Sequence, residues 1–215
     1  MADWATISSL ATAGGTLVLA VATFQAVRSS NRSARIAELA LREQRRPLFA
    51  QSRNEDATER IMFGDQHWVS VDGSGGAAEY VDGIVYLVMS LRNIGAGIGV
   101  CQGWHVQPGL LRGINEHSPE DQFRLQGRDL YIPAGDMGLW QGAIREANDP
   151  QQAEIAAAIT HKEPVSIELL YSDQVGEQRT ISRYSLIPFP HEHDDGVTWA
   201  INATRHWYLD RAGPR

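Results

Sequence analysis

The sequence predicts a mainly β protein: an antiparallel immunoglobulin-like β-sandwich preceded by a long N-terminal transmembrane and juxtamembrane helix. Three observations carry this reading. The run from Trp4 to Val27 contains no Asp, Glu, Lys or Arg, and arginines follow it at once. After Pro47 the apolar pattern changes from helical spacing to alternation. Many short strand-like runs then follow, with a single short helix among them.

The opening run is the anchor of the first segment, residues 1–27. At about 1.5 Å per residue its 24 residues cover about 36 Å as a helix, against a hydrocarbon core of about 30 Å. Leu17 to Val27 is its most apolar part. The first half is softened by Thr6, Ser8, Ser9, Thr12, Gly14 and Gly15, and the threonine and serine hydroxyls can bond back to the helix. Trp4 stands where an interfacial aromatic belongs. A cleavable signal peptide wants positive charge ahead of the apolar stretch, and Met-Ala-Asp-Trp has none. A helix packed on a partner instead of lipid is the other alternative. Ala11 and Gly15 form a small-xxx-small pair suited to helix self-association.

Residues 28–46 form the second segment, a basic juxtamembrane helix. Six arginines (Arg28, Arg32, Arg35, Arg42, Arg45, Arg46) outweigh Glu38 and Glu43, a net of +4. Arg28, Arg32 and Arg35 suit anionic lipid headgroups, and the positive-inside rule puts everything beyond them in the cytoplasm. The stretch has no Pro or Gly before Pro47 stops it. Its apolar stripes are too short for a coiled coil, so it reads as a solvated stalk.

The third segment, residues 47–215, is the β-domain. Val85, Leu87, Met89 and Leu91 alternate with Ile84, Tyr86 and Val88, so this strand is covered on both faces and central. Residues 165–171 and 180–187 read as a hairpin about Gly176-Glu177, with Ser166 and Glu168 facing away from the core. Further strands are expected at 48–53, 67–71, 98–106, 129–132, 139–145 and 198–208. The stretches Gly73-Ser74-Gly75-Gly76 and 116–121 read as loops. The one helix spans Ala153 to Ile159, with Asp149 as N-cap, Pro150 in the first turn, and His161 and Lys162 complementing its C-terminal end.

Charge and composition exclude several classes. The chain totals −7, leaving −10 for residues 47–215, which argues against nucleic acid as a partner. The single cysteine, Cys101, excludes an intrachain disulfide and suits a reducing compartment. Gly95-Ala96-Gly97-Ile98-Gly99 lacks the helix that a dinucleotide loop needs, so it reads as a strand connection. Cys101 and His105, four apart on a strand, share a face but sit about 13 Å apart, too far for proton transfer. No Gly-x-Ser-x-Gly elbow is present, and no catalytic residue or cofactor is assigned. The segment from His191 to Asp195 offers the best metal ligands, His191, His193 and Asp194, although a distant fourth ligand is not evident. Most tryptophans read as core, and His206-Trp207-Tyr208 as a possible exposed recognition patch.

Four further segments carry a resemblance: Arg46-Pro47-Leu48, Leu91-Arg92-Asn93-Ile94-Gly95-Ala96-Gly97, Ile132-Pro133-Ala134-Gly135 and Tyr171-Ser172-Asp173. In these and in the order of its features the chain resembles a group of uncharacterised bacterial single-pass membrane proteins. Those have an N-terminal anchor, a short basic helix and an immunoglobulin-like sandwich. The resemblance implies a bacterial inner-membrane protein and no particular activity. The expected function is a membrane-anchored cytoplasmic β-sandwich acting as an interaction or assembly module for an unknown protein partner. The alternative is a membrane-tethered metal-dependent enzyme using the segment from His191 to Asp195.

Overall fold

The computed structural model describes residues 3–111, 113, 115–190 and 196–211. The chain divides into two units, Met1–Gln44 and Arg45–Arg215.

The first unit is one uninterrupted helix, α1 (Trp4–Glu43). No residue in it breaks the backbone ladder, and Gly14 and Gly15 are tolerated at some cost in propensity. Leu17, Val18, Leu19, Val21, Phe24 and Val27 are exposed on it. Among the described residues no helix is long and apolar enough to cross a membrane. The Thr, Ser, Gly and Gln residues of the uncharged run dilute the apolar ones, so lack of charge alone overstates how apolar the run is.

Among the described residues the second unit has eleven strands: β1 (Phe49–Gln51), β2 (Glu59–Met62), β3 (Trp68–Val71), β4 (Gly75–Val81), β5 (Ile84–Asn93), β6 (Gly99–Pro108), β7 (Arg124–Ile132), β8 (Met137–Ile144), β9 (Val165–Asp173), β10 (Thr180–Pro190) and β11 (Val197–Tyr208). Nine form a single antiparallel sheet in the order β1-β5-β4-β11-β10-β9-β6-β7, with β8 on the other side of β5. The mainly β, antiparallel class is as expected. The path of pairing is continuous, so two separate facing sheets are not formed. Instead the sheet curls into a half-barrel around its core. Its weakest link is β4 to β11, held by Trp199–Gly76 and Ala200–Gly75 alone.

The core explains the curl. Leu87, Met89, Leu91, Trp104, Val106, Trp140, Ile167, Leu169, Tyr171, Tyr184 and Leu186 fill the concave side. Trp140 meets Trp104 edge-on at 5.5 Å, and Phe49 stacks on Tyr171 at 4.2 Å. The small hairpin β2–β3 covers the opposite face of β5, where Phe63, Val69 and Val71 pack on Tyr86 and Val88. Strand β5 is therefore apolar on both faces because both are covered.

A second helix, α2 (Gln152–Thr160), buries Ile155, Ala158 and Ile159 in the same core. Asp149 does not cap it directly. Its Oδ1 accepts the Gln151 N–H at 3.0 Å, and Gln151 takes the cap position with helical backbone. At the other end Lys162 adopts φ +57°, and the Glu163 N–H reaches back to the Ala158 carbonyl at 2.8 Å. That is a left-handed helix stop of the Schellman type, occupied here by lysine where glycine is usual.

One expectation for a loop and one for a strand face change. Gly75 and Gly76 belong to β4. A Cβ at Gly76 would lie 2.5 Å from Leu186 Cδ2 and 2.7 Å from the Val88 carbonyl, so the strand needs glycine there. The turn before it is fixed by Ser74, whose N–H donates to Ser52 Oγ at 2.7 Å. Strand β9 is buried at every position, so Ser166 and Glu168 face not solvent but the covering segment 109–118.

Candidate functional site

His191, His193 and Asp194 lie outside the described residues. Among the described residues no three His, Cys, Asp or Glu side chains come together in a way that could hold a metal ion.

Cys101 and His105 do not share a face. Register shifts between Cys101 and Gly103 against both β7 and β9, so Gln102 is an extra residue on β6. After this bulge Trp104 and Val106 point into the core with Cys101, and His105 points out. Burial pushes the Cys101 thiol up to about 12, which makes it an inert core residue. The His105 ring nitrogens face Gln107 at 3.3 Å and Gln151 at 3.0 Å. Burial lowers its pKa, the Glu168 carboxylate raises it, and burial prevails.

The residues His206, Trp207 and Tyr208 are half-buried and alternate between the two faces of β11. Ser182 Oγ lies 2.6 Å from His206 Nδ1 and 2.8 Å from the Tyr171 hydroxyl, which itself accepts the Phe49 N–H at 3.2 Å. Every group is used when Tyr171 donates to Ser182 and Ser182 donates to Nδ1. His206 is then neutral, in keeping with the lowering of its pKa by burial. A serine–imidazole pair resembles a nucleophile and its base, yet Ser182 is completely buried. Trp207 donates its indole N–H to the Asn115 carbonyl at 2.9 Å, and Tyr208 lies under Arg46.

The open feature of the β unit is a cleft of about 790 Å³ at the seam of the half-barrel. There the chain-adjacent strands β7 and β8 face one another without pairing as strands: β7 pairs only β6, and β8 pairs only β5. Residues 126–129 of β7 have no register partner on β6. The Gln126 side chain bridges the gap, accepting the Trp140 indole N–H at 3.0 Å and donating to the Gln141 carbonyl at 3.2 Å. A side chain thus satisfies backbone that a neighbouring strand would otherwise hold.

The walls of the cleft are aromatic, apolar and basic. Trp104 forms part of the wall, with the Arg124 guanidinium 5.4 Å from its ring centre. Leu125 is 88% exposed and Met62 is 44% exposed at the rim. Arg124 pairs with Asp149, and Arg145 pairs with Asp65 at 3.1 Å. Arg128, also in the wall, has no carboxylate partner among the described residues. Gln141 Oε1 is buried without a hydrogen-bond partner. Comparison with protein-family models, with curated proteins and with solved structures finds no match. Inference about function therefore rests on this geometry. The cleft was not legible in the sequence as a site, because β7 reads as a polar, irregular segment and the wall gathers residues from four separate stretches.

Proposed function

We propose that the β unit is a protein-interaction module, and that the seam cleft takes an extended segment of a partner as an added strand. The observation that carries this is the pair of unpaired strand edges, β7 and β8, bordering one cleft. Unpaired N–H and C=O groups on an edge strand are a template for another chain, and flanking pockets supply specificity. The wall has the composition of a binding hot spot: a tryptophan, arginines, a methionine and an exposed leucine. Arg128 favours an acidic segment, a preference that contrasts with the acidity of the β unit as a whole.

The helix α1 holds the module at a membrane surface in this reading. Its support is the exposed apolar set Leu17, Leu19 and Phe24 beside the arginines Arg28, Arg32 and Arg35.

The test is fluorescence polarisation of the intact chain against extended peptides in acidic, neutral and basic series. Acidic peptides are expected to bind, and Arg128→Glu with Leu125→Asp to weaken them about tenfold or more. Both positions are exposed, so the fold tolerates the changes. Failure of every series to bind, or indifference to the double substitution, would refute the cleft as a docking site. Co-sedimentation with anionic vesicles tests the helix separately: a chain that stays in the supernatant removes the membrane from the proposal.

A further inference from the structure

Gln126 reaches across the seam of the half-barrel in the manner of a peptide group. Its carboxamide carries the same two functions, a carbonyl acceptor and N–H donors. The oxygen accepts the Trp140 indole N–H at 3.0 Å, and the nitrogen donates to the Gln141 carbonyl at 3.2 Å. The second bond shows which way the backbone of β8 faces. Within a strand the N–H and C=O of one residue point to the same side, and successive residues alternate between sides. Gln141 therefore turns its N–H as well as its carbonyl to the seam. Leu139 and Ala143 do the same, while Trp140, Gly142 and Ile144 turn theirs to β5. No strand pairs with the seam side of β8. The Gln126 nitrogen thus occupies the position that the N–H of an added strand would take.

Strand β7 holds Gln126 loosely. Leu130, Tyr131 and Ile132 are in register with Cys101, Val100 and Gly99, and Arg124 and Leu125 with Trp104 and Gly103. Between these stretches residues 126–129 have no register partner, and Gln102 is the one β6 residue opposite them. A Cβ at Gly127 would meet nothing within 4 Å, so the backbone beside Gln126 borders open space. Gln126 can leave the seam by rotating its side chain, with no strand ladder to break.

We propose that Gln126 is a latch on the β8 edge: it holds the edge in the free protein and is displaced when an acidic segment of a partner pairs with Leu139, Gln141 and Ala143. This inference rests on the docking reading above and adds to it the edge that is used and the residue that competes for it. A closed latch lowers the apparent affinity by the fraction of time it is open. It also protects the free protein. Trp140 has no exposure, and Gln126 supplies the acceptor that its indole N–H needs.

The experiment combines hydrogen exchange and fluorescence polarisation on the intact chain, with the acidic extended peptides as probes. On binding, the amides of Leu139, Gln141 and Ala143 are expected to gain about tenfold or more in protection. Gln126→Ala is expected to tighten peptide binding about three- to tenfold, the size of one released hydrogen bond. The same variant, without peptide, is expected to melt at a lower temperature, because the indole is left without its acceptor. Circular dichroism establishes that the variant is folded, and the exchange measurement needs no variant. Protection that falls on residues 126–129 of β7 instead overturns the inference. So does peptide binding that Gln126→Ala weakens or leaves unchanged in a folded variant. Either result keeps peptide binding itself, so the docking reading survives it. Failure of every peptide to bind removes both.

Discussion

Glu168 and Arg183 form an ion pair with side chains 1% and 4% exposed. Such a pair gains little over a well-packed apolar pair, because both charges give up their hydration. Removing one partner is another matter, since the survivor is left charged and dry. Glu168→Gln is therefore expected to destabilise the β unit by about 3 kcal/mol, and Glu168→Gln combined with Arg183→Met by distinctly less. Urea unfolding of the two variants checks this. A single substitution no worse than the double would show that the charges are not interdependent. The pair was half visible in the sequence. Alternation places Glu168 off the core face, but what covers it there includes Ser118, 50 residues away in sequence. The same limit applies to His105: its face is set by an extra residue at Gln102, and no local pattern marks that bulge.

At the scale of elements, local pattern marks some strands and turns plainly and leaves others hidden. The central strand β5 announced its double coverage by an unbroken apolar run, and the β9–β10 hairpin by its alternation and Gly176, at φ +83°. The β4–β5 turn was equally legible: Asp82 and Gly83 have φ +51° and +80°, a two-residue turn that Asp-Gly favours. Strand β4 itself is not legible, because it begins Gly75-Gly76-Ala77-Ala78, residues that look like a loop when no packing is in view. Helix α2 was foreseen with its cap two residues too early, since Asp149 is drawn into its bond with Arg124. The stop of α2 yields a prediction. Lys162 has a left-handed backbone that costs a residue with a Cβ about 1 kcal/mol. Lys162→Gly is expected to stabilise the β unit by a few tenths to about 1 kcal/mol, seen as a raised midpoint in thermal or urea unfolding. A fall would mean that the lysine side chain contributes more than its backbone costs.

For the whole molecule, pH separates two populations of titrating groups. His105 and His206 have pKa values lowered from 6.5 by burial. The unfolded chain then takes up more protons below about 6.5, so their stabilising effect is complete above that value and is lost as pH falls through it. Asp149 and Asp210 are lowered from 3.8 by their bonds to Arg124 and Arg46. Their contribution persists to more acid conditions and is lost below about 3.8. Stability is thus expected to fall in two steps on acidification. In the double variant His105→Gln, His206→Gln the upper step should disappear and the lower remain. Persistence of the upper step in that variant would assign it to other groups. The seam cleft also belongs to this scale. It assembles residues from separate stretches of the chain, and it depends on how a curled sheet closes.

The bond between Arg46 and Asp210, 2.6 Å long and backed by Tyr208, joins the first and last strands' flanks of the β unit. A unit whose two ends are clasped in this way is topologically close to a ring. It lends itself to circular permutation, with a short linker across the clasp and new ends cut at the turn around Gly176, and to insertion as a cassette within a loop of another protein.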